Sequence, residues 1–283
     1  MRVCADLASL PLRRGRVAGA WAWKSYQHVA SEDLPMALAS LHHSLSVGAP
    51  LWLRLFVGTG TWISPAPDPL AGRRFSLWEP DRLSAVVDGA GFAVEDVVVE
   101  DEHVTVRATR RRTLPDFVAP ALRLLVCGLN PSLYAADAGV SYARPGNRFW
   151  PAALAAGVVT RDRDPWHAVR HDRVGLTDLV KRATVGAAEL AADEYAGGLA
   201  RVDGLCRWLR PAALCVVGLA GWRAVVDRQA VPGPQPEALG GVPVYVMPST
   251  SGLNAHARLD DLTGHLRAAL ALASGPSGTV PRG

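Results

Sequence analysis

Leu122-Arg123-Leu124-Leu125-Val126-Cys127-Gly128-Leu129-Asn130-Pro131-Ser132 is an apolar run that stops abruptly at a turn, and its reading decides the fold of the second half of the chain. A short, unbroken apolar run bounded by turn residues reads as a strand buried on both faces, as in parallel sheets. Ligands of open α/β sheets bind just past the carboxyl ends of such strands. Asn130 therefore stands where chemistry is expected. On its own the turn is a weak signal, because Gly, Asn and Pro are ordinary strand-end residues and Asn tolerates a left-handed backbone.

Downstream, residues 212–218 and 242–247 form two more apolar strand runs. Residues 194–209 have helical spacing through Leu199, Val202, Leu205 and Leu209, and residues 221–228 and 259–272 also read as helices. Residues 165–171 read as a loop or short helix, residues 133–144 as irregular, and residues 231–237 as a proline-rich loop. Alternating strands and helices imply a mainly parallel sheet covered on both faces. If the strands ending at Gly128 and Met247 are neighbours, the loops 128–132 and 248–253 project from one edge and can grip one ligand between them.

Two further motifs follow the turn: Tyr142-Ala143-Arg144-Pro145-Gly146-Asn147-Arg148-Phe149-Trp150 and Met247-Pro248-Ser249-Thr250-Ser251-Gly252-Leu253-Asn254. Together the three motifs, over residues 114–272, resemble the mismatch-specific uracil/thymine DNA glycosylases. The resemblance implies a three-layer α/β/α domain that flips a mispaired pyrimidine out of duplex DNA and hydrolyses its glycosidic bond, with no cofactor. It implies that Asn130 is the catalytic asparagine, orienting a water that an amide cannot deprotonate. Gly128, Leu129, Ser132, Ala135, Tyr142 and Asn147 match the base-binding positions. The Tyr142 ring would stack on the base, Ala135 would lie near the pyrimidine 5-position, and Asn147 would cap a helix at the pocket wall. Leu253 matches the residue that wedges into the duplex, with Ser249, Thr250, Ser251, Gly252 and Asn254 around it. The three hydroxyl residues would hold a phosphate.

The residues also allow plainer readings: Asn130 as a turn former, Tyr142 as a core ring, Leu253 folded back on the core. The motifs depart from the family pattern at Ser132, where the family has Gly, and at Ala255, where it has Arg. Asp178 and Lys181 read as exposed and carry no assigned role. A binding protein for mismatched or abasic DNA, with Ser132 blocking the pocket, is the alternative function.

In the first half, residues 19–29 are β-prone. A helix with Leu34, Leu38, Leu41 and Leu45 on its apolar positions follows and ends near Gly48. Then come a strand at 50–57, a Gly/Pro-rich loop at 58–72, a helix at 79–89, and a hairpin over 94–107 around Asp101-Glu102. This order, with Asp6-Leu7-Ala8-Ser9-Leu10-Pro11, resembles the second half of a class I S-adenosylmethionine-dependent methyltransferase. The family's glycine-rich loop is not among these residues, so a structural module is expected, with an active methyltransferase as the alternative. Trp21, Trp23, Trp52, Trp62 and Trp78 are expected in the core. The expected division is 1–109 methyltransferase-like, 110–121 a solvated linker opened by Arg110-Arg111-Arg112, 122–273 glycosylase-like, and 274–283 a disordered tail.

The chain has 283 residues, 49% hydrophobic and 20% charged, which suits an ordinary globular protein of two domains. Its formal net charge of +4 is compatible with a polyanion. Lys24 and Lys181 are the only lysines, so arginine carries nearly all positive charge. No apolar run is long enough for a membrane span. Cys127 and Cys215 lie in strand runs and no Cys-X-X-Cys pair occurs, so neither an iron–sulfur cluster nor zinc is expected. A cytoplasmic, nucleoid-associated monomer acting on double-stranded DNA with U·G or T·G mismatches is the resulting expectation.

Overall fold

The computed structural model describes residues 4–69 and 71–273, and the tail expected at 274–283 lies outside them. The chain forms two compact units that divide between Asp116 and Phe117.

The first unit contains β1 (Ala20–Trp23), α1 (Leu34–Ser44), β2 (Pro50–Val57), β3 (Thr61–Ile63), β4 (Arg74–Trp78), α2 (Pro80–Gly89), β5 (Phe92–Glu100) and β6 (His103–Arg110). Its sheet runs β3-β4-β2-β6-β5, with β1 parallel to the first half of β2. The region expected as a loop thus holds β3, and β4 follows it. The two pair antiparallel, Thr61 opposite Ser76, so this pairing supplies the order that a Gly/Pro-rich composition hid.

Alternation along β1 and β2 turns Ala22, Leu51, Leu53 and Leu55 inward. The same alternation turns the tryptophans outward, which corrects the core expectation. Trp21, Trp23 and Trp62 are 64%, 40% and 47% exposed, Trp52 is half-buried, and only Trp78 is inside. Trp21 stacks on Trp23 at 4.9 Å and on Trp52 at 5.3 Å between ring centroids. The guanidinium of Arg54 lies over Trp23 at 4.8 Å.

The arginine run is not a solvated linker. Arg110 is buried at the end of β6 and donates to the His42 carbonyl, and Arg111 reaches Asp88 at 2.6 Å. Thr113, Leu114, Asp116, Phe117 and Val118 are buried too.

The second unit contains β7 (Leu124–Gly128), α3 (Leu133–Ala138), α4 (Phe149–Ala155), α5 (Pro165–Arg170), β8 (Val174–Asp178), α6 (Ala192–Leu209), β9 (Leu214–Val217), α7 (Leu219–Val225), β10 (Gly233–Pro234), β11 (Val244–Met247) and α8 (Leu259–Ala273). Strand order is β10-β11-β9-β7-β8, all parallel except the two-residue β10. Every residue of β7, β8, β9 and β11 is buried, because helices cover both faces. Leu125, Cys127, Leu214, Val216, Val244 and Val246 pack with Val202, Leu205, Cys206 and Leu209 of α6 and Trp222 of α7. The alternate strand positions face the opposite side, where α8 packs and the Tyr245 hydroxyl meets His265 Nδ1 at 2.8 Å. The unit is a three-layer α/β/α domain.

Two details of this unit correct the sequence reading. β7 and β11 are not neighbours, since β9 pairs with both: Leu214 lies opposite Leu125 on one side and Val244 on the other. All three strands are parallel, so their carboxyl ends still share one edge. Residues 133–138, read as irregular, form α3. Ser132 caps it by accepting from the Ala135 amide at 3.2 Å, and Gly139 ends it in a left-handed conformation, φ 73°.

Candidate functional site

The turn after β7 is laced to the segment after β8. The Gly128 and Leu129 carbonyls accept from the amides of Leu179 and Val180 at 2.8 and 2.9 Å, and the Pro131 carbonyl accepts from Thr184 at 3.1 Å. Asn130 completes the lacing with its side chain. Its Nδ2 donates to Thr184 Oγ1 at 2.7 Å, to the Arg182 carbonyl at 3.0 Å and, more weakly, to the Pro131 carbonyl at 3.3 Å. With the nitrogen committed inward, Oδ1 is left without a hydrogen bond among the described residues, and the side chain is half-exposed. An amide held this way offers an acceptor of fixed direction.

Arg182 is anchored in turn. Its guanidinium makes two 2.7 Å bonds to the Glu194 carboxylate and one of 2.7 Å to the Glu189 carbonyl. The bond from Arg182, with the Ala191 amide, lowers the Glu194 pKa to about 2.

Gly128 is required by what lies over it. A Cβ there would come within 2.5 Å of Asp178 Oδ1 and 3.0 Å of the Tyr142 hydroxyl. Asp178 and Lys181, read from sequence as exposed, are 5% and 4% exposed. Asp178 is the last residue of β8 and occupies the space that the missing Cβ leaves, which is why the sequence pattern misjudged it.

Tyr142 has φ 57°, a left-handed conformation that is costly for a bulky side chain. Its ring stacks on Phe149 at 4.2 Å. Its hydroxyl is buried without a hydrogen-bond partner among the described residues, and burial, then the Asp178 charge, raises its pKa well above the usual phenol value. The residue as a whole is intermediate in exposure, with its hydroxyl end enclosed and one ring face taken by Phe149. Trp150 fixes the turn beside it by donating from Nε1 to the Ser141 carbonyl at 2.7 Å.

The residues of the Asn-Arg-Phe-Trp segment divide their tasks. Asn147 Oδ1 accepts from the Phe149 amide at 2.9 Å at the start of α4. Phe149 and Trp150 are completely buried. Arg148, to which the sequence reading assigned nothing, holds the other loop. Its guanidinium donates to the carbonyls of Ser251 at 2.8 Å and Asn254 at 2.7 Å and also to that of Ala257, while its amide donates to the Thr250 carbonyl at 3.0 Å. Gly252 lies so close to this segment that a Cβ on it would be 3.0 Å from the Gly146 carbonyl oxygen. The segment from 142 to 150 and the loop after β11 are therefore one rigid assembly.

That loop braces itself as well. Ser249 Oγ accepts from the Ser251 amide and Ser251 Oγ from the Leu253 amide, each at 3.3 Å, and Asn254 Nδ2 donates to the Ser249 carbonyl at 2.9 Å. At the tip Leu253 is 85% exposed and is not folded back on the core. Thr250 is 1% exposed, so it shapes the loop from inside and presents no hydroxyl to an outside phosphate. Ser132 spends its hydroxyl on the cap of α3. Ala135 is buried in α3, and Leu129 packs against the core beside α6 and α7, leaving its backbone at the turn.

Thr184, Arg148 and Asp178 are the residues that sequence reasoning missed. Arg148 lies inside a motif quoted for its neighbours, and an Arg between a cap and a buried Phe-Trp pair was the available signal. Thr184 and Asp178 carried none. Among the described residues no group of three or more His, Cys, Asp or Glu side chains is placed to hold a metal ion. No helix among them is long and apolar enough to cross a membrane.

A family model described as the Uracil DNA glycosylase superfamily matches residues 115–271, more than half of the chain. A solution NMR structure from Methanosarcina acetivorans, assigned as a uracil DNA glycosylase, is 22% identical with TM-score 0.38, covering 55% of this chain and 96% of that one. An S-adenosylmethionine-dependent methyltransferase from Methanosarcina mazei is 14% identical with TM-score 0.34, covering 38% of this chain and 65% of that one. The Burkholderia thailandensis 1,6-didemethyltoxoflavin-N1-methyltransferase is 18% identical with TM-score 0.33, covering 38% and 50%. The chain thus spans half to just under two thirds of the length of these methyltransferases.

Proposed function

The chain belongs to the uracil DNA glycosylase superfamily, and on that premise we propose that it is a monofunctional glycosylase that excises uracil, and thymine with it, from U·G and T·G mismatches in double-stranded DNA. The observation that carries this reading is the Asn130 amide, pinned nitrogen-inward by Thr184 and Arg182 with its oxygen left for a water.

A glycosidic bond inside a stacked duplex is out of reach, so the nucleotide must swing out, at a cost that is smaller for a mispaired base. Leu253, apolar and rigidly presented, is suited to fill the gap. The Tyr142 ring is suited to stack on the base, and its rigid seat on Phe149 limits the entropy lost in doing so. The C1′–N bond then breaks heterolytically, its electron pair leaving with the base as an anion. A water held by Asn130 Oδ1 adds to C1′ of the oxocarbenium-like sugar, and the proton it loses is taken up, through solvent, by the departed base anion, giving an abasic site and the free base. Asn130 contributes position rather than basicity, so the rate enhancement comes from orientation and fixed dipoles.

Product release from U·G, T·G, U·A and single-stranded oligonucleotides tests the assignment. Release of uracil from U·G ahead of U·A is expected. Tight binding to mismatched or abasic duplex with no base released from any of the four would replace it with a binding function.

A further inference from the structure

The opposite edge of the same sheet carries a feature that excision does not use. Ala121, Leu122, Arg123, Arg173, Arg210 and Ala212, all just before β7, β8 or β9, line an open cavity of about 450 Å³ with Leu270 and Ala273 of α8. Three positive side chains meet there, and among the described residues no carboxylate lines it.

The arginines are differently prepared. Arg123 is fixed, donating to the carbonyls of Asp172 at 2.7 Å, Val158 at 2.6 Å and Gly157 at 3.3 Å. Arg173 and Arg210 are exposed, and while their backbones bond to Arg123 and Cys206, their side chains make no hydrogen bond or ion pair among the described residues. Both have left-handed backbones, φ 53° and 47°, and so does Ala121 at 54°. Three of the seven non-glycine residues with positive φ among the described residues therefore line one cavity.

Glycine is the ordinary residue at such helix-to-strand turns, because it takes this conformation without a Cβ penalty. The C-terminal dipoles of α6 and of the short α5 favour cations at Arg210 and Arg173, but they do not account for a left-handed non-glycine backbone at both positions around one space. Strain concentrated around unpaired like charges points to a ligand of opposite charge.

We propose that this cavity binds a phosphate monoester of mononucleotide size, its phosphate forked by Arg173 and Arg210 and its apolar body resting on Leu122 and Leu270. Arginine's planar fork matches phosphate oxygens bidentately, and the volume lies within the range of small-molecule sites. β7 separates the site from Asn130 by five residues, roughly 16 Å of strand, so the ligand and the proposed DNA need not compete.

Calorimetric titration at low salt with AMP, alone and in the presence of a U·G duplex without terminal phosphates, tests this. Adenosine serves as the uncharged control. AMP is expected to bind with Kd below about 1 mM and adenosine not at all, and AMP should leave duplex affinity unchanged. The Arg173→Gly/Arg210→Gly variant keeps the backbone each turn needs and is expected to fold with unchanged excision. Its AMP affinity should fall roughly tenfold or more. AMP that fails to bind, binds the variant equally, or is displaced by duplex DNA would overturn the proposal; the last result would make the cavity part of the DNA footprint. Excision by the wild type is read separately, so loss of the glycosylase assignment and loss of this one are distinguishable.

Discussion

Both units of this protein are α/β, and they differ most at their unpaired surfaces. In the second unit, loops at the carboxyl ends of the strands are tied to each other by side chains that donate to backbone carbonyls. Asn130 ties the turn after β7 to the segment after β8, and Arg148 ties the 142–150 segment to the loop after β11. Among the groups these loops present are the Asn130 amide oxygen and the Leu253 side chain. In the first unit the exposed apolar groups are larger, with Trp21, Trp23 and Trp52 stacked on an open sheet face, and side-chain rings hold one another there. Layer architecture alone does not make a site; carbonyl-anchored loops do.

The largest expected effect that sharpens this contrast is Gly128→Ala. Its Cβ must displace Asp178 or Tyr142, so a loss of about 3 kcal/mol in denaturant unfolding is predicted, with excision down by roughly 100-fold. In the first unit Gly48 has φ 82° but open space around it, and Gly48→Ala should cost only about 1–2 kcal/mol and leave excision unchanged.

Next is Arg148→Ala, which frees three carbonyls of one loop; kcat/KM should drop roughly 10- to 100-fold. Arg54→Ala, which removes a cation over Trp23 and a partner of Glu100, should cost about 1 kcal/mol or less and leave kcat/KM alone. Equal effects of the two on excision would break the comparison.

Leu253→Ala should separate stability from function. An 85% exposed side chain contributes within about 0.5 kcal/mol to folding. Excision from duplex should nevertheless fall roughly tenfold, and excision from single strands should not, because only the duplex has a gap to fill.

The smallest effect concerns pH. Glu194 has its pKa lowered from 4.5 to about 2 in the folded protein, first by the Arg182 bond. A carboxyl depressed on folding contributes stability above its unfolded pKa and loses it as pH falls through the folded one. Glu194→Gln should therefore lower the melting temperature slightly at pH 7, and the difference from wild type should shrink between pH 4.5 and 2.

The sequence showed β2, the β5–β6 hairpin, β7, β9, β11 and the three motif loops, because buried strands are continuous apolar runs and turns carry Gly, Asn and Pro, but it did not show β3, β4, β8 or β10. It did not show that β9 separates β7 from β11, since pairing order depends on contacts between distant segments. Trp21-Ala22-Trp23 displays the alternation of a strand, yet which face is inside depends on what covers it. Asp178 reads as an ordinary polar residue until Gly128 is placed beneath it. Arg148 was visible only as part of a motif, its task being to reach carbonyls more than 100 residues away.

The central claim is that Asn130 positions water rather than merely shaping a turn. Single-turnover excision from a U·G duplex by Asn130→Ala, alongside its binding to an abasic duplex, tests it most directly. The expected rate is at least roughly 100-fold below wild type, with abasic-duplex binding little changed. Wild-type excision by Asn130→Ala would contradict it.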